Sequence, residues 1–290
     1  IMLATIMQAL DTTIANVALP HMQGSLSASF DQISWVLTSY IVAAAIMTPA
    51  VGFMAARLGR RRLFLWSVAG FVLTSALCGL ATSLDEMVLF RLLQGVCGAA
   101  LVPLSQTVLL DTYPTHKHGQ AMAIWGMGIM VGPILGPTLG GWLTDWYSWR
   151  WVFYINVPVG ILSYLGIYFS VEDTPIRKFR FDGMGFALLS VAIACLQLML
   201  DRGEEQKWFG SQEIQIYALV AATSFYLFIV HTLTTKDSFI NKEMFKDRNF
   251  LTGNIFIFVV GVVLLTTTVL LPPFLENWKD YPVVAAGIIL

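Results

Sequence analysis

Long apolar blocks separated by short polar connections set the frame of this chain. Nine blocks are long enough for a bilayer-crossing helix, which needs about twenty apolar residues. They run over 1–20, 34–56, 63–82, 87–110, 119–144, 150–171, 183–200, 213–234 and 250–275, and a tenth opens near Val283. Barrel strands would alternate apolar and polar positions in blocks of about ten, and these blocks do not. The pattern predicts an all-α polytopic membrane protein. Two connections, 171–182 and 234–249, are longer and more polar than the others. They divide the chain into a six-helix bundle over 1–171, a two-helix insert over 172–235, and the start of a second bundle over 236–290. Both ends fall inside apolar blocks, so the sequence reads as part of a longer protein.

Composition sharpens this picture. Hydrophobic residues make up 57% of the chain and charged residues 12%, against about a quarter charged in soluble domains. The net charge of -1 gives no footing for nucleic acid. Cys78, Cys97 and Cys195 all lie within apolar blocks and read as packing residues. The 17 Lys and Arg residues are unevenly placed. Most fall in the even-numbered connections: Arg57, Arg60, Arg61, Arg62, Lys117, Arg177, Lys178, Arg180, Lys236, Lys242, Lys246 and Arg248. The odd-numbered connections hold Arg150, Arg202, Lys207 and Lys279. Basic residues stay on the cytoplasmic side, which predicts a cytoplasmic N-terminus. Trp35, Trp142, Trp146, Trp149, Trp151, Trp208 and Trp278 cluster at the opposite, outer ends of spans, as an interfacial belt does. Trp66 and Trp125 read equally well as core fillers.

Charges inside the spans point to chemistry. Asp11 stands in the middle of the first apolar block, where a carboxylate costs about 3 kcal/mol on insertion scales. Gln8, Thr12 and Asn16, spaced by four, form a polar stripe beside it. Such a stripe must face protein or water. The one basic residue inside a span is Arg91 in the fourth, with Gln94 a turn further on. At 1.5 Å per residue, Asp11 lies about 14 Å and Arg91 about 8 Å below the outer surface, within reach of each other. The cation favours the ionised acid and burial opposes it. A static ion pair and a proton-loading site are both open readings. Gln8, Thr12, Asn16 and Gln94 are expected to line a water-filled cavity.

The fifth span carries Gly128, Gly132, Gly136 and Gly140 at spacing four, with Pro133 and Pro137 beside them and Gly126 and Gly141 flanking. Such a face permits close helix approach, either as fixed packing or as a sliding surface. The connection after the second span contains Gly52, Arg57, Gly59, Arg60, Arg61 and Arg62. Its arginines serve topology alone, or a gate that contacts helix ends and carboxylates in one state. His116 and His118 lack the neighbours of a metal site. The run Asp201 to Glu205 reads as a solvated helix cap. No GxxxxGK[ST] loop occurs in the chain, so direct nucleotide drive has no site in it. Nor does a cluster of nucleophile and base that would suggest an enzyme.

Together these segments resemble the major facilitator superfamily, and within it the fourteen-span drug:proton antiporter family. Residues 10–20 are similar to that family's first-helix motif, and residues 91–100 to its fourth-helix motif. Residues 132–141 resemble its antiporter motif. Residues 52–62 resemble its loop motif with one departure: Ala56 stands where an acid is usual. Leu200 to Gly203 with Trp208 and Phe209 is similar to its insert. The resemblance implies two six-helix bundles joined through a two-helix insert in the bacterial inner membrane. It implies export of hydrophobic drug-like compounds in exchange for protons, with no cofactor beyond the proton gradient. It further implies two partners, a periplasmic adaptor protein and an outer-membrane channel. On this resemblance Asp11 and Arg91 would couple to protons, and the glycine span and arginine loop would pack and gate.

Overall fold

A computed structural model describes residues 1–176, 181–235, 238, 240 and 242–279. Eight helical segments in it are long and apolar enough to cross a membrane. They are α1 (Met2–Ser25), α2 (Asp31–Leu58), α3 (Arg60–Leu80), α4 (Leu84–Thr112), α5 (Thr115–Trp146), α6 (Trp151–Ser170), α7 (Gly183–Arg202) and α8 (Gln212–Thr234). These match the first eight apolar blocks. The ninth falls on α9 (Arg248–Lys279). The tenth, near Val283, lies outside the described residues, as do Arg177, Lys178, Arg180 and Lys236 of the basic connections.

Local chemistry sets the helix ends. Ser83 caps α4 through its side chain, which accepts from the Glu86 amide, and Asp85 and Glu86 occupy the first turn. Ser29 and Gln32 form a reciprocal capping box where α2 begins. Gly59 separates α2 from α3 at φ 88°, a backbone region that only glycine enters cheaply. Pro49 tightens α2 into a short 3-10 turn over Thr48–Ala50.

The chain divides into two compact units, Ile1–Phe228 and Ile229–Leu290. In the second unit, a 3-10 turn over Lys242–Lys246 precedes α9. In the first, α1 lies along α5 and also touches α6, α2 lies along α4, and α3 packs on both α4 and α6. The α7 helix lies against α2.

The buried apolar side chains form two main layers. One gathers Ile14, Met22, Val36, Cys78, Met87 and Phe153. The other gathers Met7, Tyr40, Phe64, Phe71, Leu101 and Ile167. Between them, α1, α3, α4 and α6 each contribute one or two buried polar residues: Asp11, Ser75, Arg91 with Gln94, and Asn156. A thin polar stratum thus runs through an otherwise apolar bundle.

Two aromatic and capping expectations change here. Trp66 is 79% exposed and fills no core, because its position on α3 turns away from α4 and α6. Trp125 is buried and donates its ring N–H to Ser105 Oγ at 3.0 Å. The run Asp201 to Glu205 is more than a solvated cap. Thr38 donates to Asp201, Arg202 pairs with Glu213, and the Arg202 guanidinium lies over Trp35. The physical reason is the packing of α7 on α2, which brings the C-terminal end of α7 against the N-terminal turns of α2.

Candidate functional site

The polar stratum is one hydrogen-bonded network. Arg91 Nη1 donates to Asp11 Oδ2 at 2.6 Å and to Gln94 Oε1 at 2.8 Å. Gln94 Nε2 donates to Asp11 Oδ1 at 2.9 Å, and Asn156 Nδ2 donates to the same oxygen at 2.7 Å. Asn156 also donates to Ser75 Oγ at 3.0 Å, and the Ser75 hydroxyl in turn donates to Phe153 O at 2.9 Å. Arg91 Nε donates to the Val36 carbonyl at 3.1 Å. The guanidinium lies over the Tyr40 ring, 4.4 Å from its centroid. Cys78 points its thiol at Gln94 Oε1 from 3.7 Å.

Burial decides what this network means. Asp11 is 1% and Arg91 0% exposed. Two ions this deep lose several kcal/mol of hydration each, and good geometry with further hydrogen bonds must offset that loss. Both Asp11 oxygens are satisfied, and the helices that satisfy them are α3's neighbours α4 and α6. One carboxylate therefore ties α1 to both. Its charge state bears on the packing of the whole bundle.

The expected polar stripe sits elsewhere. Gln8 and Thr12 are half-buried, and Asn16 is exposed. The Thr12 hydroxyl donates to its own helix, to Gln8 O and Ala9 O at 3.0 Å. Asp11 is turned away from Thr12 and Asn16, into the bundle, because successive residues on a helix point a little over a quarter turn apart, whereas Gln8, one turn earlier, shares its face and meets Tyr40. Gln94 joins the Asp11 network, apart from Thr12 and Asn16. Asp11 therefore faces no wet cavity in this structure. Asn156 and Ser75 were not singled out in the sequence, although an Asn one turn inside the sixth apolar block was a usable signal.

The glycine face meets α1. A Cβ on Gly132 would stand 2.6 Å from Ala9 Cβ and 2.8 Å from the Ala9 carbonyl carbon. One on Gly136 would run into the Thr13 side chain, and one on Gly140 would lie 3.3 Å from the Ile14 carbonyl oxygen. Gly128 borders Met2. Thr13 crosses the interface to donate to Gly132 O at 3.2 Å. Helix α5 continues through Pro133 and Pro137. Gly126 and Gly141 point off this stripe, with nothing within 4 Å of an added Cβ. Gly132→Ala should therefore cost about 1–3 kcal/mol through overpacking against backbone. Gly141→Ala should gain up to about 1 kcal/mol from helix propensity. Thermal unfolding of the purified full-length protein should move the two midpoints in opposite directions.

The arginine connection is partly engaged. Arg60 pairs with Asp111 at the end of α4, and its amide donates to Thr174 Oγ1 at 3.0 Å. Arg61 lies 3.5 Å from Asp173, donates to Tyr168 O and stacks on the Tyr168 ring. Arg57 and Arg62 are exposed. Gly52 borders nothing within 4 Å. The carboxylates that meet this connection come from the end of α4 and from the segment after α6. Among the described residues no group of His, Cys, Asp and Glu could hold a metal ion.

Eight membrane-length helices, five of which join in one sealed ion-pair network, define a multi-pass helical membrane protein. The chain belongs to the Major Facilitator Superfamily, a family of transporters, whose family model matches residues 1–290. It is 42% identical over 288 residues to the multidrug export protein EmrB of Escherichia coli (strain K12), covering 99% of this chain and 56% of that protein. It is also 42% identical over 288 residues to the fatty acid resistance protein FarB of Neisseria gonorrhoeae, covering 99% of this chain and 57% of that protein. The chain thus spans little more than half the length of these curated relatives. Among solved structures it is similar to the peptide transporter POT in complex with sulfate, with a TM-score of 0.63 at 13% identity over 94% of this chain and 59% of that one. That likeness concerns the fold alone.

Proposed function

We propose that this chain is the N-terminal part of a proton-coupled multidrug efflux antiporter that works by alternating access. Residues 1–171 would form the first transport bundle, 172–235 the two-helix insert and 236–290 the approach to the second bundle. The N-terminus would be cytoplasmic and the membrane the bacterial inner membrane. A periplasmic adaptor and an outer-membrane channel would complete the export path. The substrates would be hydrophobic toxic compounds, a reading supported by relatives named for multidrug export and fatty acid resistance.

One observation carries this reading. Asp11 is the only acid in the buried stratum among the described residues, and three side-chain donors from two other helices converge on it. A proton arriving on Asp11 cancels the charge that holds Arg91, Gln94 and Asn156 in place. The bundle then has two packings of similar energy, which is what an alternating-access element needs. Access of water to Asp11 in one state only would convert that rearrangement into coupled transport. The glycine face lets α1 shift along α5 while the two remain sealed.

The test is efflux of a lipophilic dye from cells or vesicles that hold the full-length protein and no other pump. Efflux should stop when the pH gradient is collapsed. Efflux that continues unchanged excludes proton coupling. Uptake that rises with the same gradient makes the protein a symporter.

A further inference from the structure

At the arginine-rich end of α2, α3 and α4, a cleft of about 420 Å³ opens between the three helices. Its walls are apolar: Met47, Met54, Leu63, Val96 and Ala100. Arg57 and Arg62 stand on its lining, and Trp66 borders it with 79% of its surface exposed. The four arginines of this connection divide into two kinds. Arg60 and Arg61 are half-buried and paired with Asp111 and Asp173. Arg57 and Arg62 are exposed, and among the described residues no carboxylate pairs with either. The two free cations thus share one apolar cleft, beside a tryptophan that neither core layer covers.

We infer that this cleft binds an anionic glycerophospholipid, with the phosphate between Arg57 and Arg62 and one acyl chain along the wall of Met54, Leu63 and Val96. Arginine forks match phosphate oxygens in geometry and charge. Basic pockets between spanning helices at the membrane surface hold anionic head groups in the same way. A free phosphate would leave the apolar wall wet, and a zwitterionic lipid would bring a cationic head group toward two arginines. Trp66, exposed beside the same cleft, is an amphipathic ring of the kind favoured at head-group depth. The lipid would brace α2 against α3 where Gly59 gives them only a one-residue joint. The inference rests on the arginine end facing a membrane leaflet, but not on proton coupling or on any drug.

Native mass spectrometry of the purified full-length protein tests it. The probes are phosphatidylglycerol and phosphatidylcholine of identical acyl chains at equal concentration. The wild type should retain one phosphatidylglycerol in clear preference to phosphatidylcholine. At about fivefold per arginine near a membrane surface, Arg57→Gln with Arg62→Gln should weaken that retention roughly thirtyfold. Ser67→Phe keeps both arginines and fills the cleft, and it should lower retention of the same lipid as well. Glycerol phosphate without acyl chains should not displace the lipid at equal concentration. Equal retention of the two lipids by the wild type overturns the proposal. So does undiminished retention in the double glutamine variant, or in the filled cleft. Dye efflux that is lost while lipid selectivity stays intact speaks against the transport reading alone.

Discussion

Arg91→Met is expected to destabilise the bundle by about 3–5 kcal/mol, the penalty for removing one half of a buried ion pair. Methionine fills the volume of the aliphatic stem but supplies no donor. Asp11 Oδ2 would lose its 2.6 Å partner, and Gln94 Oε1 would lose its 2.8 Å partner. The Val36 carbonyl would lose the second bond that it accepts from Arg91 Nε, keeping only its helix backbone partner. An uncompensated carboxylate between two apolar layers has nowhere to find water, because both layers are closed by fully buried side chains such as Met7, Ile14, Phe71 and Met87. The protein relieves this by taking a proton on Asp11 or by opening the bundle, and both lower the unfolding midpoint at neutral pH. Acidification should restore part of the loss, because a protonated Asp11 no longer needs the cation. Removing both charges together, in Asp11→Asn with Arg91→Met, should be milder than Arg91→Met alone. A double-mutant cycle on thermal unfolding of the full-length protein measures this coupling directly. Additive single effects would mean that the two charges do not sustain each other.

Much of this arrangement is legible from the chain alone, and its limits have a physical origin. Apolar blocks identify the spans because the bilayer makes length and hydrophobicity nearly sufficient. Asp11 and Arg91 stand out for the same reason, since an ion in such a block is costly enough to need a partner. Depth estimates place the two within reach, and they meet directly. Direction is harder to read. The helical wheel shows that Asp11 lies about a quarter turn from Thr12, but not which side carries the bundle interior. The stripe of Gln8, Thr12 and Asn16 drew the acid toward a cavity that it does not face.

Asn156 went unread because its partners lie 145 and 81 positions away in the chain, and local spacing carries no record of them. An Asn near a helix start also has an ordinary explanation as a terminal residue. The glycine spacing on α5 announces close packing, yet only the tertiary structure names α1 as the helix it meets. Loop arginines are equally ambiguous. Arg60 and Arg61 differ from Arg57 and Arg62 through partners such as Asp111, Asp173 and Tyr168, which the chain brings from distant positions.

Asp11→Asn should abolish proton-driven efflux, and pairing it with Arg91→Gln separates that effect from misfolding. The single variant keeps size and shape but not polarity. Asp11 accepts at both oxygens, from Arg91 on one and from Gln94 and Asn156 on the other. An amide has one oxygen and one donor group, so in either orientation a donor faces a donor. It also leaves the Arg91 charge buried without its counter-ion, which is severe for folding. Arg91→Gln removes that charge and restores an acceptor where the Asn amide needs one. The double variant is therefore expected to reach the membrane with a near-normal unfolding midpoint. It has no group in the stratum that gains or loses a proton near neutral pH. Its efflux should be absent, or should only equilibrate the dye, whatever the gradient. The margin is large enough to see: one charge crossing 100 mV carries about 2.3 kcal/mol, so each coupled proton lost removes roughly a fiftyfold concentration ratio. Active efflux in the double variant with the wild-type response to pH would take Asp11 out of the coupling step, because the folded bundle would then be working without its buried acid.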